Sequence, residues 1–124
     1  MRRAGVSLRW FAAGLAALAT AATVMASNPD DVQRALTTGS CKDCDLVEAN
    51  LSGINGENGD FSGANFLDAT IYGGTLRGAN LTGATLHGAN LKLVDMTGAV
   101  GAVLDQAITD WRTTCPDGTA GPCR

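Results

Sequence analysis

The chain has 124 residues with 9 Lys plus Arg against 12 Asp plus Glu, a formal net charge of −3, 16 glycines, 4 cysteines and 1 histidine. This length holds one small domain, and the acidic balance repels a phosphate backbone rather than attracting it. With one His, two Glu and no phosphate-binding loop, the side chains for catalysis are missing, so neither an enzyme nor a cofactor is expected.

Residues 1–26 read as a secretory signal peptide. Arg2, Arg3 and Arg9 form a basic head, Trp10 to Met25 is an uncharged Ala/Leu-rich run, and Val24-Met25-Ala26 offers a cleavage site before Ser27. The run is 16 residues, short of the ~20 apolar residues a spanning helix needs. The double arginine lacks the rest of a twin-arginine pattern, and no Cys follows the cleavage site to take a lipid anchor. Cleavage leaves 6 Lys plus Arg against 12 Asp plus Glu, a net of −6. The expected product is exported, periplasmic or extracellular, free of the membrane, and has no nucleic-acid partner.

Residues 27–43 are expected to form an N-terminal cap. Ser27 or Asn28 suits a helix N-cap, Pro29 its first position, Asp30 and Asp31 its positive end, and Gly39 its stop. Val32, Ala35 and Leu36 make one apolar stripe, which predicts a short amphipathic helix laid over the element that follows. Next, Cys41-Lys42-Asp43-Cys44 has the spacing of a redox motif or half a zinc site. A thioredoxin-type Cys is exposed at a helix N-terminus, whereas Cys44 runs straight into a repeat. Structural zinc wants two such pairs, and the spacing of Cys115 and Cys123 does not supply the second.

From Cys44 to Gly98 the chain counts in fives through eleven consecutive units. The central residues are Leu46, Leu51, Gly56, Phe61, Phe66, Ile71, Leu76, Leu81, Leu86, Leu91 and Met96, all large and apolar except Gly56. Two positions earlier the residue is mostly Ala or another small group, and Asp, Asn or Thr precedes every centre, from Asp45 to Asp95. The last position is mostly Gly, with Asn58 and Asp68 as alternatives, all tolerant of tight turns. On an α-helix a five-residue step would scatter the centres round the cylinder; on a flat strand it would send them to alternate faces. A chain that bends once per unit keeps every centre inward.

Units such as Ser62-Gly-Ala-Asn-Phe66, Arg77-Gly-Ala-Asn-Leu81 and His87-Gly-Ala-Asn-Leu91 resemble the pentapeptide-repeat family, and the likeness covers 55 residues. It implies an all-β fold, a right-handed four-sided β-helix solenoid with four units per coil. Two departures stand out. Ile54 is large and Gly56 tiny in one unit, which reads as a volume-conserving swap. After Met96, the residues Ala99, Val100 and Gly101 lose the register, so the regular coils are expected to end at Gly98.

On such a coil Cys41 and Cys44 lie at one end, and Cys115 and Cys123 follow the other. If the tail does not fold back, the ends are too far apart for the roughly 7 Å limit between bridged Cα atoms. This predicts disulfides within each pair, closing the two ends of the solenoid. Residues 99–124 are then a disulfide-bounded cap. In it Leu104, Ile108 and Trp111 are spaced either for a helix or for degenerate sides of the coil, with Trp111 as the expected lid, and Pro116-Asp117-Gly118 signals a turn.

Outward positions sort by the 20-residue coil. His87 stacks near Glu48 and Asp68, but a lone His lacks a second strong metal ligand, so no metal is expected. Glu57, Arg77 and Asp95 read as a pairing ladder. Val47, Leu67, Tyr72 and Leu93 are apolar where the repeat prefers polar residues, making a candidate contact patch unless the flanking segments cover them. The expected function is a non-catalytic exported module, structural or protein-binding. The alternatives are a DNA mimic that binds a topoisomerase, as some relatives with long dimeric rods do, or a redox protein using Cys41 and Cys44.

Overall fold

A computed structural model describes residues 27–124; the expected signal peptide lies outside them. Its main feature is a ladder of parallel bridges between residues 20 apart. One column joins Asp45, Asn65 and Thr85, a second Asn50, Thr70 and Asn90, a third Asn55, Thr75 and Asp95, and a fourth Asp60, Asn80 and Val100. Each coil therefore consumes four five-residue units. Each column is laced by the same bonds: the amide of the central residue donates upward, as Leu51 N to Thr70 O at 2.7 Å, and the amide before the centre donates downward, as Thr70 N to Ala49 O at 2.9 Å.

The core is the stack of centres. Leu46, Leu51, Phe61, Phe66, Ile71, Leu76, Leu81, Leu86, Leu91 and Met96 are buried, with Ala64, Ala69, Ala79 and Ala89 between them. Phe61 and Phe66 meet at 5.6 Å between ring centroids, a tilted aromatic pair. The Ile54 and Gly56 exchange is spread over two coils rather than contained in one unit. A Cβ on Gly56 would stand 2.8 Å from Leu76 Cδ2 and 3.0 Å from Phe61 Cε2, so those side chains occupy the missing leucine's room. Above Ile54 sits Gly74, where a Cβ would come within 3.0 Å of Ile54 Cγ2.

Helix α1, Pro29–Thr38, begins at Asn28, whose side chain accepts from the amides of Asp30 and Asp31, and ends at Gly39 in the left-handed region, φ 71°. It lies on the first coil. Asn28 N donates to Asp45 O at 3.2 Å, Asp31 Oδ2 accepts from Asp45 N at 2.9 Å, and Ser40 Oγ accepts from Asp60 N at 2.8 Å. These bonds occupy backbone groups that an open sheet edge would leave free. Ala35 is fully buried and Val32 partly so, whereas Leu36 stays exposed, so the stripe centres on the smaller residues.

The coil does not stop at Gly98. Val100 continues the fourth column over Asn80, Ile108 stands on Asn90, and Thr114 stands on Asp95. Residues 99–114 thus form degenerate sides rather than a helix. The register is shortened, since Ile108 lies 18 positions beyond Asn90 instead of 20. That slip overturns the lid expected of Trp111. An unbroken count in fives would place residue 111 at a centre; the shortened coil puts it on a turn, 73% exposed. Leu104 and Thr113 are buried at this end instead. Thr113 Oγ1 donates to Leu91 O at 2.9 Å and accepts from Asp110 N at 3.1 Å. The last residues close over the top through a bridge between Thr114 and Ala120.

Candidate interaction surface

Each unit exposes mainly a two-residue turn, and its chemistry is set by two demands. The first turn residue has an amide that the backbone ladder leaves over. The Asp or Asn two positions earlier accepts it: Asp45 from Val47 N, Asn65 from Leu67 N at 3.1 Å, Asn90 from Lys92 N at 3.1 Å and Asp95 from Thr97 N at 3.0 Å. This Asx turn is why the repeat carries Asp, Asn or Thr before each centre. Asp110 and Asp117 do the same for Arg112 N and Thr119 N, extending the pattern beyond the regular repeat. The second turn residue is held at positive φ. Glycines fill most of these positions; Glu48, Asn58, Asp68 and Leu93 fill the others at φ between 56° and 61°.

The ladder also sets the charges. Ser62 bonds Asp60 through its hydroxyl and its amide and lowers the carboxyl below its ordinary 3.8. Partial burial raises Asp95, but the Thr97 hydroxyl and amide and the Arg77 guanidinium outweigh it and leave the carboxyl lowered. Arg77 Nη1 reaches Asp95 Oδ2 at 3.0 Å, the pair expected from the sequence, and this bond raises Arg77.

The apolar patch expected from the sequence divides between two turn columns. Val47 and Leu67 lie in one, half-buried, below exposed His87. Tyr72 and Leu93 lie in the next, exposed at 39% and 44%. That second column was only half foreseen. It stacks Ser52-Gly53, Tyr72-Gly73, Lys92-Leu93 and Trp111-Arg112, one turn per coil, between the column ending at Ile108 and the column ending at Thr114. An unbroken count already sets Arg112 two coils above Tyr72, whereas Trp111 falls at a centre in that count and is brought to the column by the register slip. The one signal was the loss of register after Met96.

Arg112 organises this column. Its Nε and Nη2 bond Asp110 Oδ2 at 3.2 and 3.1 Å, and Nη1 lies 3.5 Å from Tyr72 Oη. Its guanidinium carbon is 5.8 Å from the ring centroids of both Tyr72 and Trp111, a cation–π contact to each. The Asp110 bond raises Arg112, with Tyr72 adding to it. Partial burial raises Asp110, but the Arg112 bonds prevail and leave it lowered. Lys92, between the two aromatic residues, makes no ion pair among the described residues.

The remaining sites of interest are at the ends. Cys41 is bonded to Cys44 and Cys115 to Cys123, with Cα separations of 5.5 and 5.6 Å, and no described cysteine is free. Asp31 lies beside the first pair, but its carboxylate already binds Arg34 at 3.0 Å and the Asp45 amide. Both sulfur residues there are about 2% exposed, so a thiol partner has little access.

A family model described as pentapeptide repeats matches residues 40–78 and 60–100, with eight copies. Three solved pentapeptide repeat proteins are similar. One from the cyanobacterium Cyanothece 51142 is 31% identical over 55% of this chain and 54% of its own, with a TM-score of 0.36. HetL from Nostoc sp. strain PCC 7120, involved in heterocyst differentiation regulation, is 18% identical over 66% of this chain and 64% of its own, with a TM-score of 0.27. One from the Arabidopsis thaliana thylakoid lumen is 21% identical over 56% of each chain, with a TM-score of 0.21. This chain therefore spans between 54% and 64% of their lengths. Comparison with curated protein sequences finds no match.

Proposed function

Through the repeats of residues 40–100 the chain belongs to the pentapeptide-repeat family, and we propose that it is an exported, non-catalytic module that binds a protein partner through one of its turn columns. Family members are generally non-enzymatic structural proteins. We read the coil as the right-handed, four-sided β-helix of that family, with α1 and the Cys115 to Cys123 tail as end caps. A fixed coil of this kind holds outward side chains at set heights, which suits a binding scaffold.

The observation that carries the reading is the turn pair Lys92-Leu93 beneath Trp111. Leu93 is a large apolar residue held at φ 61° and 44% exposed, where seven equivalent turns use glycine. Such a backbone costs about 1–2 kcal/mol for an L-residue, and an outlier of this kind points to a use outside the fold. Trp111, exposed beside it, is of the type that most often anchors protein contacts.

Export is supported by the charge and hydropathy pattern of residues 1–26. Intact mass tests it: the exported chain should start at Ser27 and lack four hydrogens for two disulfides, whereas a retained Met1 contradicts it. The contact is tested by placing a photo-reactive side chain at position 111 or at position 82 in the exported chain. A discrete adduct from 111 and none from 82 is expected; no adduct from 111 would refute the reading.

A further inference from the structure

We infer that the partner presents a short, extended, acidic segment carrying an aromatic or aliphatic side chain, which lies along the turn column of Tyr72, Lys92 and Trp111. This rests on the binding role proposed above and names its chemistry. The argument is charge complementarity. Residues 27–124 hold 12 acids against 6 bases, yet this column carries Lys92 and Arg112 against Asp110 alone. The column on one side holds Glu48, Asp68 and Asp105 with no base but His87, and the column on the other side sets Arg77 alone against Glu57, Asp95 and Asp117. The fourth column sets Lys42 against Asp43, so among the described residues this is the one turn column with an excess of cation, on a chain that otherwise repels acidic partners.

Its polar groups are also unequally committed. Three of the five Arg112 N–H groups point to Asp110 and Tyr72, fixing the fork between two rings, while Lys92 makes no salt bridge among the described residues and acts on Asp110 only through its field. A carboxylate fits against Lys92 and the remaining Arg112 donors, and an apolar side chain fits against Trp111 and Leu93. Three coils set 4.7–4.9 Å apart give a track of about 10 Å, which three residues of extended chain cover. The track is too small for a stable interface between folded surfaces and matches a single segment.

Fluorescence anisotropy on the full chain tests this with three labelled hexapeptides: alternating Glu and Phe, alternating Lys and Phe, and all Glu. The Glu-Phe peptide should bind best, and its Kd should rise several-fold between low and physiological salt as the charges are screened. K92E should weaken it about tenfold and W111A about fivefold, with T82A unchanged and all three variants melting near the parent. Equal binding of the Lys-Phe peptide, or indifference to K92E, overturns the inference. So does stronger binding of heparin, which would assign the column to an anionic glycan. If the position-111 adduct forms while the Glu-Phe peptide fails, the binding role stands and only the acidic chemistry falls; if no adduct forms, the role itself fails.

Discussion

Replacing Thr113 by Val tests whether the chain beyond Gly98 is part of the fold or an appended tail. The two side chains have nearly the same shape, so packing is kept while the hydroxyl is lost. Thr113 is 1% exposed, and its oxygen donates to Leu91 O and accepts from Asp110 N. Leu91 O also receives Val94 N at 3.2 Å and stays satisfied, but no backbone acceptor takes the Asp110 amide. Leaving one such group unpaired costs about 1–3 kcal/mol. For a domain of this size each kcal/mol lowers the melting temperature by roughly 4–8 °C. Thermal unfolding followed by circular dichroism, with disulfides intact, should therefore show T113V melting at least about 4 °C below the parent, and T113S recovering most of that. Hydrogen exchange adds position: the Thr114 amide, bonded to Val94 O at 2.9 Å, should lose protection before Thr70 does. If T113V melts with the parent and Thr114 exchanges equally fast in both, the last coil is not an integral layer.

Four further outcomes follow from the same geometry. Asp60, Asp95, Asp110 and Asp117 are all lowered in the folded chain, so their stabilisation is present above the ordinary 3.8 and is lost as pH falls through their lowered values. Urea midpoints should be flat from neutral pH to about 5 and fall below about 4. Cys115→Ser with Cys123→Ser opens a short loop and should cost about 2–3 kcal/mol by urea unfolding, with exchange rising at the C-terminal end first. Gly73 and Gly88 share φ near 72°, but a Cβ on Gly73 meets nothing within 4 Å whereas one on Gly88 meets the Asp68 carboxylate. G73A should cost about 1–2 kcal/mol, and G88A measurably more. W111A should leave the melt within about 1 kcal/mol of the parent, because only the exposed contact with Arg112 is lost.

The five-residue register was legible because it is a packing requirement: every centre from Leu46 to Met96 except Gly56 fills the same narrow interior, so its size is repeated in the letters. The helix was legible through Asn28, Pro29 and Gly39, each of which does a local backbone job. Less visible was the reason for Asp, Asn or Thr before each centre, because the amide it bonds is left over only once the coils are stacked. The tail was hidden for another reason. Its side chains no longer repeat, and the backbone bonds that keep it on the coil have slipped in spacing, as in Leu91 N to Ile108 O, 17 positions apart, and Met96 N to Thr114 O, 18 apart. Trp111, read as a lid from its size and place near the end, is turned outward by that shortened register. The contact column was half visible in the sequence, since Tyr72, Lys92 and Arg112 lie 20 positions apart as one column requires, but Trp111 joins them only through the slip.

Amide shift mapping of the isotopically labelled full chain, titrated with the alternating Glu-Phe hexapeptide, bears most directly on the claim that this turn column is the contact surface. Shifts confined to residues 72–73, 92–93 and 110–112, which in W111A need about five times the peptide to reach the same size, are predicted. Shifts centred on Val47, Leu67 and His87, or spread evenly over all the turn columns, would contradict it.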